Sequence, residues 1–281
     1  MTEDTSRISP TAHYTGFVWF KNGMSHPALM TPQGRFMYRA LRPAMAGFHA
    51  MGGPSLEGML LARHRVIDHL RDEAIASGEV GQVVEIAAGL SPRGHRFMAR
   101  YRDRGLVYVE GDLPGMAGRK RRILDGAGLI GGGHHVVELD ALVDNGPRSL
   151  AQIGAELLDP HQGTAIITEG LVNYFDTTQV VGLWRRFAEV LRRYPRGRYF
   201  SDLGLAGESG RGRGVRTFLS LLSIFARGQV HLHFPDAEAA AAKLDEAGFT
   251  DIRLHRAGAA AAALADAAAD SGNLVRIIDA S

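Results

Sequence analysis

The sequence predicts an α/β fold, a seven-stranded and mostly parallel sheet with helices on both faces. Three observations carry that expectation. From Leu56 onward, strand-like runs alternate with segments of helical period, as a parallel sheet with crossover helices requires. The runs Gln82-Val83-Val84-Glu85-Ile86 and Ala165-Ile166-Ile167 are β-branched without a two-residue alternation, which suits strands buried on both faces. At 281 residues and 30.3 kDa the chain is long enough for one core that buries most of its apolar surface.

Residues 1 to 54 are rich in Gly, Pro, Met and aromatics, with punctuation at Pro27, Pro32, Pro43 and Gly52-Gly53-Pro54, and read as an irregular or short-helical arm. Leu56, Met59, Leu60, Val66, Ile67, Leu70 and Ala74 then recur at helical spacing until Gly78. Strands are expected over 82–87, 106–110, 135–139, 164–168 and 198–202, with helices over 93–102, 116–124, 149–157 and 178–194. Beyond the fifth strand come a Gly/Arg-rich stretch from Gly204 to Gly214, an apolar segment from Phe218 to Phe225, and Val230-His231-Leu232-His233-Phe234-Pro235. A stretch this long reads as a lid or substrate-binding insertion, at about 204–235. A helix over 237–247 is closed by Gly248, and 251–255 with 274–278 form a terminal antiparallel pair across an Ala-rich connecting helix at 257–269. The expected organisation is a cap at 1–54 and a ligand-binding domain at 55–281 that carries the insertion.

Cysteine is absent, which excludes disulfides and thiolate metal sites and favours a reducing compartment. The sequence shows neither an apolar run of the roughly 18 residues that span a bilayer nor a signal-peptide pattern in its opening segment. A soluble, cytoplasmic protein is the expectation. The 32 basic and 30 acidic residues are spread without a block of like charge, which argues against nucleic acid, since a phosphate-binding face needs clustered cations. None of the 12 His falls in a metal-binding HExxH pattern, and no metal is expected.

In open α/β sheets, ligands bind beyond the carboxyl ends of the strands near the point where strand order reverses. The first strand is followed by Ala87-Ala88-Gly89-Leu90-Ser91-Pro92-Arg93, a tight turn of small residues that lets backbone approach a ligand, with Pro92 suited to a first helical turn. The dinucleotide fingerprint G-x-G-x-x-G is absent, which weighs against a nicotinamide cofactor. By itself this loop is equally a plain strand-to-helix turn. After the second strand, Glu110-Gly111-Asp112-Leu113-Pro114 places carboxylates about 20 residues further on, where an acid can accept both hydroxyls of an adenosine ribose. The competing role for Asp112 is a helix cap before Pro114. Asp140, after Glu138-Leu139, is placed either to accept from an adenine amino group or to cap. Glu169, in Thr168-Glu169-Gly170-Leu171-Val172-Asn173-Tyr174-Phe175, sits in an apolar context that costs several kcal/mol unless a cation pairs with it. That cation is a ligand ammonium or, internally, Arg63 or Arg93. Tyr174 and Phe175 are candidates to face a sulfonium, an attraction of about 0.5 to 2 kcal/mol, with core packing the alternative for Phe175.

Taken in order, Leu60-Leu61-Ala62-Arg63, Val84-Glu85-Ile86-Ala87-Ala88-Gly89-Leu90, Tyr108-Val109-Glu110-Gly111-Asp112-Leu113-Pro114 and Glu169-Gly170-Leu171-Val172-Asn173-Tyr174 resemble the leucine carboxyl methyltransferase type, which includes bacterial O-methyltransferases of polyketide pathways. The resemblance spans about residues 55 to 200 and is nearer to the bacterial enzymes than to the eukaryotic phosphatase methyltransferases, which this chain's N-terminal arm and 204–235 insertion do not match. It implies a Rossmann-like class I methyltransferase fold and S-adenosylmethionine as cofactor. It further implies that Arg63 grips the cofactor carboxylate, Asp112 the ribose, Asp140 the adenine side and Glu169 the amino group. The segment from Glu85 through Ala87 and Gly89 would lie beneath the methionine part. An arginine fork meets a carboxylate bidentately and suits the first task. Ala87 stands where the family commonly has Gly, so a backbone contact there is altered.

Methyl transfer is an in-line displacement that depends on holding an acceptor oxygen near an activated methyl. A carboxylate acceptor needs no base, whereas a phenol or alcohol benefits from one. Tyr174, His231 and His233 are the candidate catalytic residues, the two His alternating onto one face, with structural or solvent-facing imidazole as the competing reading. Arg211, Arg213, Arg216 and Arg227 in the insertion, with Tyr14, Phe17, Trp19 and Phe20 in the arm, would enclose an aromatic, anionic small molecule, or else the arm aromatics form a packing surface. The expected function is O-methylation of a hydroxyl or carboxylate on a polyketide-like small molecule. A protein carboxyl methyltransferase, a non-catalytic cofactor-binding module and a nicotinamide-dependent oxidoreductase are the alternatives, and a homodimer is left open.

Overall fold

Strand runs buried on both faces need helices above and below, and the computed structural model, which describes residues 10–50, 53–209, 231–264 and 275–281, supplies them around one seven-stranded sheet. The strands are β1 (Gln82–Ile86), β2 (Val107–Asp112), β3 (His134–Glu138), β4 (Thr164–Thr168), β5 (Gly197–Leu203), β6 (Arg253–Arg256) and β7 (Arg276–Ala280), in spatial order β3-β2-β1-β4-β5-β7-β6. The first five pair in parallel, with Val84 of β1 opposite Val109 of β2 and Ile166 of β4. β7 runs antiparallel to both β5 and β6 and inserts between them, so the terminal pair reaches the sheet through its last strand. Strand order reverses between β1 and β4, and the carboxyl ends of β1, β2 and β4 therefore share the edge at which such sheets bind ligands.

The helices are α1 (Pro10–Lys21), α2 (Pro32–Ala50), α3 (Leu56–Ala76), α4 (Arg93–Arg100), α5 (Pro114–Gly126), α6 (Leu150–Leu157), α7 (Thr177–Leu191), the single turn α8 (Ala206–Ser209), α9 (Ala237–Ala247) and α10 (Ala257–Ala263). Their starts are written in the sequence. Ser55, Ser149 and Asp236 cap α3, α6 and α9, and Asp176 with Gln179 forms a reciprocal capping box at α7. Successive strand residues face opposite sides of the sheet. Val84 and Ile86 thus join the core with Trp184, Phe187 and Tyr199, while Val83 joins the other with Leu60, Ile67, Phe97 and Phe200. Glu85 shares the Val83 side, and this parity aims its carboxylate at α3 and α4.

The arm is more helical than the irregular or short-helical segment expected of its sequence. α2 is 19 residues long, with Pro32 at its first position and Pro43 inside it. Docking, which local propensity does not encode, decides the outcome. Tyr14 and Val18 of α1 enter the α3-side core, and Glu57 of α3 accepts hydrogen bonds from Lys21 Nζ at 2.7 Å, Asn22 Nδ2 at 2.9 Å and the Tyr38 hydroxyl at 2.7 Å. Most of the 204–235 segment lies outside the described residues. Its final part runs beside Leu205, which bridges His233. Among the described residues no helix is long and apolar enough to cross a membrane.

Candidate functional site

At the end of β4 the chain turns at Gly170, whose φ is 70° and where a β-carbon would stand 3.0 Å from Arg63 Nη2. Glycine both permits this backbone conformation and lets the guanidinium lie against the turn. The Gly170 N–H donates to Asp202 Oδ1 at 2.6 Å, and Arg63 Nη1 donates to Asp202 Oδ2 at 2.9 Å. Glu169, 4% exposed, gathers three partners. Arg63 Nε lies 2.9 Å from its Oε1, and Arg93 Nη2 and His64 Nδ1 lie 2.5 Å and 2.9 Å from its Oε2. Burial alone would raise its pKa, but Arg93, His64 and Arg63 outweigh burial and hold the carboxyl well below its usual range. Both internal pairings open to Glu169 in the sequence, with Arg63 and with Arg93, are thus made.

Arg93 is the hub of this network. Its Nη1 donates to Glu85 Oε1 at 2.9 Å and its Nε to Asp68 Oδ1 at 2.6 Å. The other Glu85 oxygen accepts from the Tyr108 hydroxyl at 2.8 Å, so each Glu85 oxygen has a protein partner. Burial and then Arg93 lower the pKa of His64 despite its acidic neighbours. The neutral ring donates from Nδ1 to Glu169, and Nε2 has no hydrogen-bond partner. His64, Asp68, Tyr108 and Asp202 were missed in the sequence. A signal for two of them existed, since His64, Asp68 and Arg71 fall at i, i+4 and i+7 and lay a polar row along one face of α3.

The loop after β1 is held in a strained form. Ala87 has φ 55° and Gly89 has φ 49°, both left-handed. The Gly89 N–H donates to Asp112 Oδ2 at 2.7 Å, and the Leu113 N–H donates to Asp112 Oδ1 at 2.8 Å. Asp112 therefore ties the end of β2 to the loop rather than capping α5, whose N-cap, Leu113, makes no side-chain cap bond. Burial raises the Asp112 pKa, while the Gly89 and Leu113 amides oppose the rise. Because alanine resists positive φ, Ala87→Gly is expected to stabilise the protein by up to about 1 kcal/mol, relief of strain exceeding the added chain entropy. Thermal unfolding checks it, and a lowered midpoint would show that the methyl packs usefully.

The remaining candidates divide. Asp140 Oδ1 accepts from the Leu142 N–H at 3.0 Å, a local turn just past β3 on the same edge as Asp112. Tyr174 is 40% exposed, and its hydroxyl is 3.3 Å from Thr11 Oγ1 of α1. Phe175 packs against the α7-side core, the alternative role given to it. His231 and His233 stack with ring centroids 6.4 Å apart, so they do share a face. His233 is nevertheless fully buried, with Nε2 3.2 Å from the Val172 carbonyl and Nδ1 3.1 Å from Thr177 Oγ1. Nε2–H must donate to the carbonyl, which leaves Nδ1 to accept from the hydroxyl. Both nitrogens are thereby engaged, which fits the competing reading of His233 as a structural imidazole, while His231 makes no side-chain hydrogen bond among the described residues. Arg211, Arg213, Arg216 and Arg227 lie outside the described residues. Of the arm aromatics, Tyr14 and Trp19 are buried, Trp19 against His64 at 4.7 Å between centroids, and Phe17 packs on Tyr38 at 5.1 Å. α1 also crosses the loop itself. A β-carbon on Gly89 would come 3.4 Å from Ala12 Cβ, and one on Gly16 would come 3.2 Å from Leu90 Cβ.

The sequence over residues 30–188 matches the model of the leucine carboxyl methyltransferase family. Among solved structures, a DUF574 family protein from Streptomyces avermitilis MA-4680 is similar at a TM-score of 0.64 and 17% identity, over 96% of each chain. A putative methyltransferase from Thermobifida fusca YX is similar at 0.61 and 15% identity, over 99% of this chain and 96% of the other. PigF, solved with SAH, is similar at 0.51 and 16% identity over 77% of this chain, which spans only 54% of PigF. At such identities these likenesses speak for the fold. A comparison with curated proteins finds no match.

Proposed function

The chain belongs to the leucine carboxyl methyltransferase family, and from that premise we propose that the edge formed by β1, β2 and β4 holds the cofactor while α1 narrows access so that a small molecule is the acceptor. It is a methyltransferase, and its methyl donor is S-adenosylmethionine. The donor set suits that molecule. Asp112 spends one lone pair per oxygen on backbone amides and keeps another on each for ribose hydroxyls. Arg63 Nη2, which has no hydrogen-bond partner among the described residues, is the donor left for a carboxylate. Glu169, kept ionised by its cations, retains acceptor capacity at Oε1 for an ammonium.

The bound cofactor supplies a methyl group already activated by its sulfonium leaving group. The chain's own task is to orient the acceptor, exclude water and, for a hydroxyl acceptor, take a proton. Tyr174 is exposed beside Thr11, and His231 is the base we assign for a phenol or alcohol. The observation that carries the small-molecule reading is the position of α1, pinned to Tyr174 on one side and packed on Gly89 on the other. On this reading residues 1–54 cap the domain at 55–281, and polyketide-like phenols and carboxylates are the compounds to offer.

Calorimetric titration with S-adenosylmethionine tests the cofactor site. The wild type is expected to bind, and Asp112→Ala is expected to bind about 10- to 100-fold more weakly, through loss of charge-assisted hydrogen bonds. Equal affinity in the variant would remove Asp112 from the site. Mass spectrometry of cell extract given labelled cofactor decides the acceptor class, and label confined to protein overturns the small-molecule reading.

A further inference from the structure

Beside the loop after β1, three titratable side chains are shut away from solvent. Glu110 of β2, Lys120 of α5 and His134 of β3 are 1%, 2% and 3% exposed. Lys120 Nζ donates to Glu110 Oε1 at 2.7 Å, and His134 Nε2 donates to Glu110 Oε2 at 3.0 Å. A β-carbon on Gly94 in the first turn of α4 would stand 2.4 Å from His134 Nε2, so α4 packs directly on the cluster. Lys120 occupies a position of α5 that faces the core with Met116, Ala117 and Leu124. An apolar side chain would serve stability there as well as a buried ion pair does. Packing alone does not call for an ammonium at this point.

The remaining contact of Lys120 among the described residues is the Ala88 carbonyl, 3.4 Å from Nζ. That carbonyl and the Gly89 N–H belong to one peptide group, and the N–H is held by Asp112 at 2.7 Å. The same carbonyl accepts from the Ser91 N–H at 2.8 Å. The Ala88–Gly89 peptide plane is thus gripped at both ends, one residue past Ala87, whose φ of 55° is strained for alanine, and at Gly89, whose φ of 49° glycine permits. We propose that Lys120 is a positioning residue for cofactor binding: with Asp112 it clamps the Ala88–Gly89 peptide plane, and Glu110 and His134 hold its ammonium in place. The role rests on the reading that this loop receives S-adenosylmethionine.

Three proteins test it, the wild type, Lys120→Met and Lys120→Met with Glu110→Gln, each by calorimetry with S-adenosylmethionine, by melting temperature and by amide hydrogen exchange. Lys120→Met is expected to melt lower, because Glu110 loses its cation, and to bind about 10-fold or more weakly. The double variant removes both charges, so its melting temperature recovers while the affinity stays low and the Gly89 and Ser91 amides exchange faster than in the wild type. Where the single variant fails to fold, the double variant decides. Affinity that returns together with the melting temperature reduces Lys120 to a structural ion pair and overturns the proposal. A wild type that does not bind S-adenosylmethionine overturns instead the reading of the loop on which it stands.

Discussion

Arg93→Met is expected to lower folding stability by about 4 kcal/mol, enough to unfold much of the protein near its working temperature. The side chain is fully buried and meets Asp68, Glu85 and Glu169 at once. Methionine keeps the length and loses the charge. The consequence is unequal among the three acids. Asp68 retains Arg71 and Arg96, and Glu169 retains Arg63 and His64, but among the described residues Glu85 keeps only the Tyr108 hydroxyl. Adding Glu85→Gln is therefore expected to recover part of the loss, whereas Asp68→Asn should recover less. Urea unfolding of the single and double variants measures both, and recovery equal for the two companions would mean that the burden is shared evenly across the network.

The strands that the sequence exposes most clearly are those whose composition leaves no choice. Thr164–Thr168 and the helix Ala237–Ala247 fall where they are expected, the first as a β-branched run and the second between Asp236 and Gly248. The insertion of β7 between β5 and β6 has no such signature, because pairing across more than 70 residues decides it. The length of α2 was hidden for a related reason. Its prolines and glycines look like punctuation, but the Glu57 cluster and the apolar seat beneath α1 fix the arm through tertiary contacts.

The candidate site was legible in kind more than in pairing. Asp112 and Glu169 stood out because acids at strand ends or in apolar runs call for partners, whereas Arg63 and Glu85 came from the family resemblance. Which partner each finds is a long-range fact: Arg63 and Glu169 are separated by 106 residues, and Arg63 and Asp202 by 139. His233 shows the same limit. Alternation placed it correctly beside His231, yet its engagement by Val172 and Thr177 follows from a crossing of segments that no local pattern announces. At Ala87 the sequence marked the unusual residue, and the positive φ supplies the physical reason why glycine would be the easier choice.

Glu169→Gln is expected to abolish measurable S-adenosylmethionine binding and to cost about 3 to 5 kcal/mol of stability at neutral pH, since Arg63 and Arg93 then face an uncharged amide. The size of that cost should depend on pH in a definite direction. In the unfolded chain the Glu169 carboxyl titrates near ~4.3, and in the folded protein it is held well below that range. A depressed folded pKa contributes stability that is fully present above the unfolded value and is lost as pH falls through the folded one. Two further carboxyls act in the same sense. Burial would raise both, but Lys120 and His134 bring Glu110 down to about 2, and Arg93, Arg71 and Arg96 lower Asp68. The wild type should therefore lose stability steeply below pH ~4, with several carboxyls taking up protons on unfolding. The substituted amide cannot take part. As Glu169 itself becomes protonated it comes to resemble the glutamine, so the gap between the two proteins should narrow with falling pH. Unfolding free energies across the acid range read this directly: a gap that stays constant would locate the damage of the substitution in packing rather than in the charge that Arg63, Arg93 and His64 surround.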